Sequence, residues 1–131
     1  MNKVLYTDGF CLVKNPSPFG GGFTVTDYLG TVLSRQKILK NNFTNNEAEL
    51  LGVLRGCELS ENNGIVVTDS MNTIHWVKRG KSKARPDLNE IIAKTKKIAE
   101  EKEIFLKWEK RDYNLAGIYN ENYRGENEVL L

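Results

Sequence analysis

Histidine occurs once in this chain, at His75, cysteine twice, at Cys11 and Cys57, and proline only three times in 131 residues. So few soft ligands cannot build a Cys/His metal cage or a disulfide framework, and the two thiols read as those of a reduced, cytoplasmic protein. Apolar runs are never longer than a few residues, far short of the roughly 20 that span a bilayer, so no membrane association is expected. The opening "MNKVLYTDG" lacks the basic segment, apolar stretch and small-residue cleavage site of an export signal. Charge is nearly balanced, at +2, which only mildly favours a polyanionic partner. There is no internal repeat and no low-complexity linker, so residues 1–131 are expected to form one domain, read as a monomer.

Two hydrophobic periods are present. Residues 2–8 alternate as a strand running toward Asp8, and after the loop "NPSPFGGG" the segments "GFTVTD" and "TVLSRQKIL" flank "DYLG" as a hairpin. The period then lengthens. In "TNNEAELLGVLRGCELS", Leu50, Val53, Leu54 and Cys57 recur at helical spacing, and Thr44 with Glu47 forms a capping-box start. "GIVVTDS" reads as a strand covered on both faces, leading into a helix with Met71, Ile74 and Val77 on its apolar side. Pro86 suits the first turn of another helix with a stripe of Leu88, Ile91, Ile92 and Ile98, and "EIFLKWEK" supplies a fifth strand. A last helix starts near Tyr113 or Asn114 and is expected to fray before Gly125, while the conformation of "ENEVLL" is left open. Trp76 and Trp108 read as core residues. Right-handed crossovers make strands 1, 4 and 5 parallel and place Asp8 and Asp69 at strand ends, where α/β sheets bind ligands.

"YTDG" and "VVTDS" are each ordinary turn chemistry alone. On neighbouring strands, however, their acids would crowd like charges that a cation offsets. With the ordered blocks "YTDG", "NPSPFGGG", "TNNEAEL", "TDS" and "RDYNLAG", the chain resembles the type 1 ribonuclease H family over nearly its whole length. The resemblance implies an α/β fold with a five-stranded mixed sheet in the order 3-2-1-4-5, strand 2 antiparallel, flanked by helices. It also implies two Mg²⁺ or Mn²⁺ ions and endonucleolytic cleavage of the RNA strand of an RNA/DNA hybrid, leaving 5′-phosphate ends.

Carried over by position, Asp8 and Asp69 match two of the family's metal-holding carboxylates. The pattern of two asparagines, two variable residues and an acid selects Glu49 as a third. Helical periodicity alone does not separate Glu49 from Glu47, and Glu47 has a capping role open to it. The family usually adds a fourth carboxylate after Ala at the start of the last helix. Here "RDYNLAG" has Gly117 after Ala116, and the alignment shifts by a few positions. Asn114 is therefore taken as the fourth catalytic and metal-holding side chain, through its amide oxygen, with helix capping as its other reading and Asp112 and Glu121 as substitutes. Three carboxylates against two divalent ions leave roughly one positive charge, so metal binding is expected to be weaker than with four. The family's mobile histidine before the last helix is missing too, with Lys110 or Arg111 as replacements.

RNA is told from DNA by its 2′-hydroxyls, which call for short polar side chains and close backbone approach. By resemblance Asn15, Asn45, Asn46 and Cys11 are candidate substrate contacts, although turn and capping chemistry also selects asparagine at such places. "KRGKSKAR", Lys81 among its cations, suits phosphate contacts. The leading expectation is a metal-dependent ribonuclease H engaged in primer removal or genome maintenance. A noncatalytic hybrid-binding module and a structure-specific DNA nuclease on the same scaffold are the alternatives.

Overall fold

Alternating segments become strands and 3.6-period segments become helices, and the order in which they follow one another sets the topology. The computed structural model describes residues 3–127, with side chains as far as Asn122. The strands are β1 (Val4–Cys11), β2 (Gly20–Thr26), β3 (Val32–Leu39), β4 (Ile65–Thr68) and β5 (Phe105–Trp108). The helices are α1 (Asn45–Leu59), α2 (Met71–Arg79), α3 (Asn89–Glu101) and α4 (Leu115–Asn127), with 3₁₀ turns at Pro86–Leu88 and Arg111–Tyr113. The sheet runs β3-β2-β1-β4-β5, with β2 antiparallel to both neighbours and β1, β4 and β5 parallel.

Helix α1 organises the core. Thr44 caps it by accepting a hydrogen bond from the Glu47 N–H at 3.2 Å. Leu50 packs with Trp76 and Val77 of α2, Leu88 of the following 3₁₀ turn and Ile92 of α3, while Val53 and Cys57 pack with Val66 and Ala99. Fully burying each large aliphatic side chain contributes about 1.5–3 kcal/mol. The last turn of α1 carries no basic residue, and Lys102 serves in its place: its ammonium donates to the carbonyls of Cys57, Glu58 and Ser60 at 2.8–2.9 Å. Both cysteines are buried and neither is in a disulfide, and burial pushes the Cys57 thiol up to about 12, so it stays protonated. Among the described residues no helix is long and apolar enough to cross a membrane.

Four expectations change at this level. Asp8 lies inside β1, because pairing with β2 continues to Cys11. Glu47 does not close a capping box: it is 4% exposed and pairs with Lys40 at 2.5 Å and Arg85 at 3.4 Å. Trp108 is 44% exposed on the edge strand rather than buried in the core. Helix α4 continues to Asn127, past Gly125, and residues 128–131 of the tail lie outside the described part.

Candidate metal centre and nucleic-acid interface

Strand register brings the first two acids together. Val4, Leu5 and Tyr6 pair in parallel with Ile65, Val66 and Val67, and the same register carried two residues further sets Asp8 beside Asp69. Adjacent residues of a strand face opposite sides of the sheet, and β1 uses both sides here. Asp8 faces α4. Gly9 faces α1 so closely that a Cβ on it would lie 2.5 Å from the backbone of Ala48 and Glu49. This absence of a side chain lets α1 bring Glu49 onto β1, where its Oε1 accepts a hydrogen bond from the Gly9 N–H.

Asp8, Glu49 and Asp69 each offer a carboxylate oxygen within 4.8 Å of the others. They line a cavity of about 190 Å³ together with Asn45, Arg111 and Asn120. Burial holds the Glu49 carboxyl well above the usual carboxylate range, aided by its hydrogen bond with Asp69 and the neighbouring charges of Asp8 and Asp69. The donor set suits a hard divalent cation, which takes oxygen ligands and would relieve the like-charge crowding that raises Glu49. Asp69 is braced from β5: the Trp108 indole N–H donates to its backbone carbonyl at 3.1 Å, which gives the half-exposed tryptophan its work.

Asn114 takes the capping role. It is fully buried, its Oδ1 accepts from the N–H groups of Ala116 and Gly117 at 3.1 and 3.2 Å, and its Nδ2 donates to the Thr7 carbonyl at 2.9 Å. An oxygen already shared by two helix amides is turned into the helix, not into the acid cluster, which corrects the expectation of a fourth ligand there. Neither Asp112 nor Glu121 belongs to the cluster: both are exposed, and Glu121 lies 3.8 Å from Arg111. On the first turn of α4 the position facing Asp8 is Gly117, where a Cβ would sit 3.6 Å from the Asp8 Cγ and 3.7 Å from its Oδ1. Asn114→Ala is expected to lower stability by about 2–4 kcal/mol, because it strips two helix amides and one strand carbonyl of their partner. A urea titration measures this, and a loss under 1 kcal/mol would count against the capping account.

Of the residues expected at the substrate, Asn15 and Asn45 are brought together, the Asn45 N–H donating to Asn15 Oδ1 at 3.0 Å. The same loop is tied down where Ser17 and Phe43 exchange backbone hydrogen bonds at 2.7 and 2.9 Å. Asn46 is half-buried beside them on the first turn of α1. Cys11 is only 8% exposed and its thiol faces the Phe43 carbonyl at 3.4 Å, so it is not presented at the surface as a substrate contact. Lys81 is exposed on the segment after α2 but does not line the acidic cavity. Arg85 of the same basic stretch is an internal tie, holding Asp87 through two bonds of 2.9–3.0 Å and Thr44 at 2.8 Å.

Sequence reasoning missed Asn120, whose Nδ2 donates to Asp8 Oδ2 at 3.0 Å. The one available signal was its spacing, three residues beyond Gly117 and therefore on the same helix face.

Comparison with known proteins agrees with this fold. No curated protein matches the chain. Among solved structures it is similar to LC11-RNase H1, isolated from compost by a metagenomic approach, at 27% identity and TM-score 0.66, over 98% of this chain and 96% of that one. LC11-RNase H1 in complex with an RNA/DNA hybrid matches at 26% identity and TM-score 0.60, over 85% of this chain and 87% of that one. The N-terminal RNase H domain of rv2228c from Mycobacterium tuberculosis, solved as a fusion with maltose-binding protein, shares the fold at TM-score 0.68 and 24% identity, over 95% of this chain and 97% of that one. The RNase H family model matches residues 1–122, nearly all of a chain whose three acids meet between β1, β4 and α1. This protein therefore belongs to the ribonuclease H family.

Proposed function

We propose that the protein is an endoribonuclease that hydrolyses the RNA strand of RNA/DNA hybrids and leaves 5′-phosphate and 3′-hydroxyl ends. The convergence of Asp8, Glu49 and Asp69 oxygens within 4.8 Å of one another is the observation that carries this reading. These three side chains would hold two Mg²⁺ or Mn²⁺ ions, which when bound supply water activation and stabilisation of the leaving oxygen during in-line displacement. The protein's own contribution is placement. Gly9 admits α1 so that Glu49 meets the strand acids, and Trp108 braces the backbone of Asp69.

Asn45 lines the cavity and is joined to Asn15, which puts short polar groups beside the acids, where 2′-hydroxyls of a hybrid minor groove would be read. Arg111 lines the same cavity and offers a cation to a phosphate bound there, in the place of a loop histidine. LC11-RNase H1, of similar fold, has been captured on an RNA/DNA hybrid, which supports this substrate class.

Metal-dependent cutting of an end-labelled hybrid tests the reading. The parent chain should cleave the RNA strand with Mg²⁺ or Mn²⁺ and spare duplex DNA, and Asp69→Asn should be silent. Hybrid binding without cleavage at any metal concentration would favour a noncatalytic module, for which the bare Gly117 position argues. Equal cutting of DNA would favour a DNA nuclease.

A further inference from the structure

Asp8, Thr24 and Arg35 stand in one row across β1, β2 and β3, since Asp8 pairs with Thr24 and Thr24 with Arg35. Directly paired residues present their side chains on the same face of the sheet. Helix α4 lays Asn120 onto this row, buried to 3% exposure. Its Nδ2 donates to Asp8 Oδ2 at 3.0 Å and to the Asp8 carbonyl at 3.3 Å, while its Oδ1 accepts from Thr24 Oγ1 at 2.5 Å and from Arg35 Nη1 at 3.1 Å. Arg35 Nη1 also donates to Thr24 Oγ1 at 3.0 Å, so the threonine hydroxyl proton is directed at Asn120. The guanidinium is held over the rings of Phe10, at 4.5 Å, and Tyr119, at 5.5 Å.

Donor and acceptor capacity then leaves one arrangement. Guanidinium has only donors and an ionised carboxylate only acceptors. An asparagine between them must turn its oxygen to Arg35 and its NH₂ to Asp8. We infer that Asn120 and Arg35 are positioning residues for the metal-holding Asp8: Arg35 locks the Asn120 amide, and the amide aligns the Asp8 carboxylate. This rests on the metal-dependent nuclease reading above. Partners that orient a ligating carboxylate typically change metal affinity by about 10–100-fold when removed. Because Gly117 brings no carboxylate to the site, the alignment of Asp8 matters more for holding metal in this chain.

The test is a double-mutant cycle on the full chain, with Mn²⁺ dissociation constants measured by calorimetry and thermal midpoints recorded alongside. Asn120→Ala should weaken Mn²⁺ binding by about 10-fold or more, and Arg35→Met should weaken it by a smaller factor. Adding Arg35→Met to Asn120→Ala should weaken binding no further, because the alignment that Arg35 gives Asp8 is relayed by the amide. Mn²⁺ affinity within twofold of the parent in Asn120→Ala, with a lower midpoint, would make the network merely structural and overturn the inference. Independent, multiplying effects would overturn it too. Should Asn120→Ala not fold, Arg35→Met decides alone, and an unchanged dissociation constant sinks the proposal. Cleavage by the parent chain is scored separately: Mn²⁺ binding without cleavage overturns the nuclease reading alone, and no Mn²⁺ binding at all overturns both.

Discussion

Glu49→Gln should abolish hybrid cleavage and, in metal-free buffer near neutral pH, raise the thermal midpoint. The carboxyl of Glu49 is buried against Asp69 and Asp8, and its proton affinity in the folded protein is raised first by burial and then by those two acids. The folded state therefore binds this proton more tightly than the unfolded chain does. Stability from this group is greatest at low pH and is lost as pH rises from the ordinary carboxylate range through the raised value. A neutral amide removes that loss, and in a domain of this size each 1 kcal/mol regained raises the midpoint by roughly 4 °C. Activity moves the other way, by roughly 10³-fold or more, because several kcal/mol of charge stabilisation go with a metal-holding carboxylate. Thermal melts of both proteins from pH 4 to 8 in EDTA, paired with cleavage assays in Mg²⁺, separate the two effects. A variant that melts below its parent across the whole range would refute the strained-acid account.

Gly117→Asp is expected to have the second largest effect, a gain in metal affinity. A Cβ at this position meets Asp8 and the Asn114 Cβ at ordinary contact distances of 3.6–3.7 Å, so a side chain can start here without displacing backbone. Its place in the first turn of α4 favours an acid through the helix dipole, and a non-glycine residue steadies the helix. The new carboxylate joins a cluster of three acids, which costs stability without metal and strengthens attraction for a cation. A unit charge at 4 Å is worth on the order of 4 kcal/mol at an effective dielectric of about 20, which is an upper guide. An improvement of about 10–100-fold in Mn²⁺ dissociation constant is the expected result, with half-maximal cleavage at correspondingly lower Mg²⁺. Calorimetric isotherms that superpose on those of the parent would show that the α4 face does not address the metal. Asn114→Asp has no such prospect, because the Asn114 amide is fully used in capping α4 and holding it to Thr7.

Much of the molecule was readable one segment at a time. Alternation, helical spacing, the Thr44 cap and the Pro86 turn are consequences of local backbone geometry, so strands, helices and their order follow from residues a few positions apart. Parallel crossovers then put Asp8 beside Asp69, because chain chirality limits how such segments can connect. The choice of Glu49 over Glu47 came from the family pattern, and the structure adds its reason: Glu47 is held by Lys40 and Arg85, seven and thirty-eight residues away along the chain. Partners at such separations leave no periodic trace.

The last helix shows the same division. Its existence and start were legible, but which side chain faces Asp8 depends on how α4 is rotated against the sheet, and each residue step turns the helix by about 100°. Packing on β1 and β2 turned Asn114 inward as a cap, left Gly117 bare beside Asp8 and delivered Asn120 to its carboxylate. Local sequence determined what each segment is. Tertiary contact decided which atoms meet, because the rotation of one rigid element against another is set by every side chain between them.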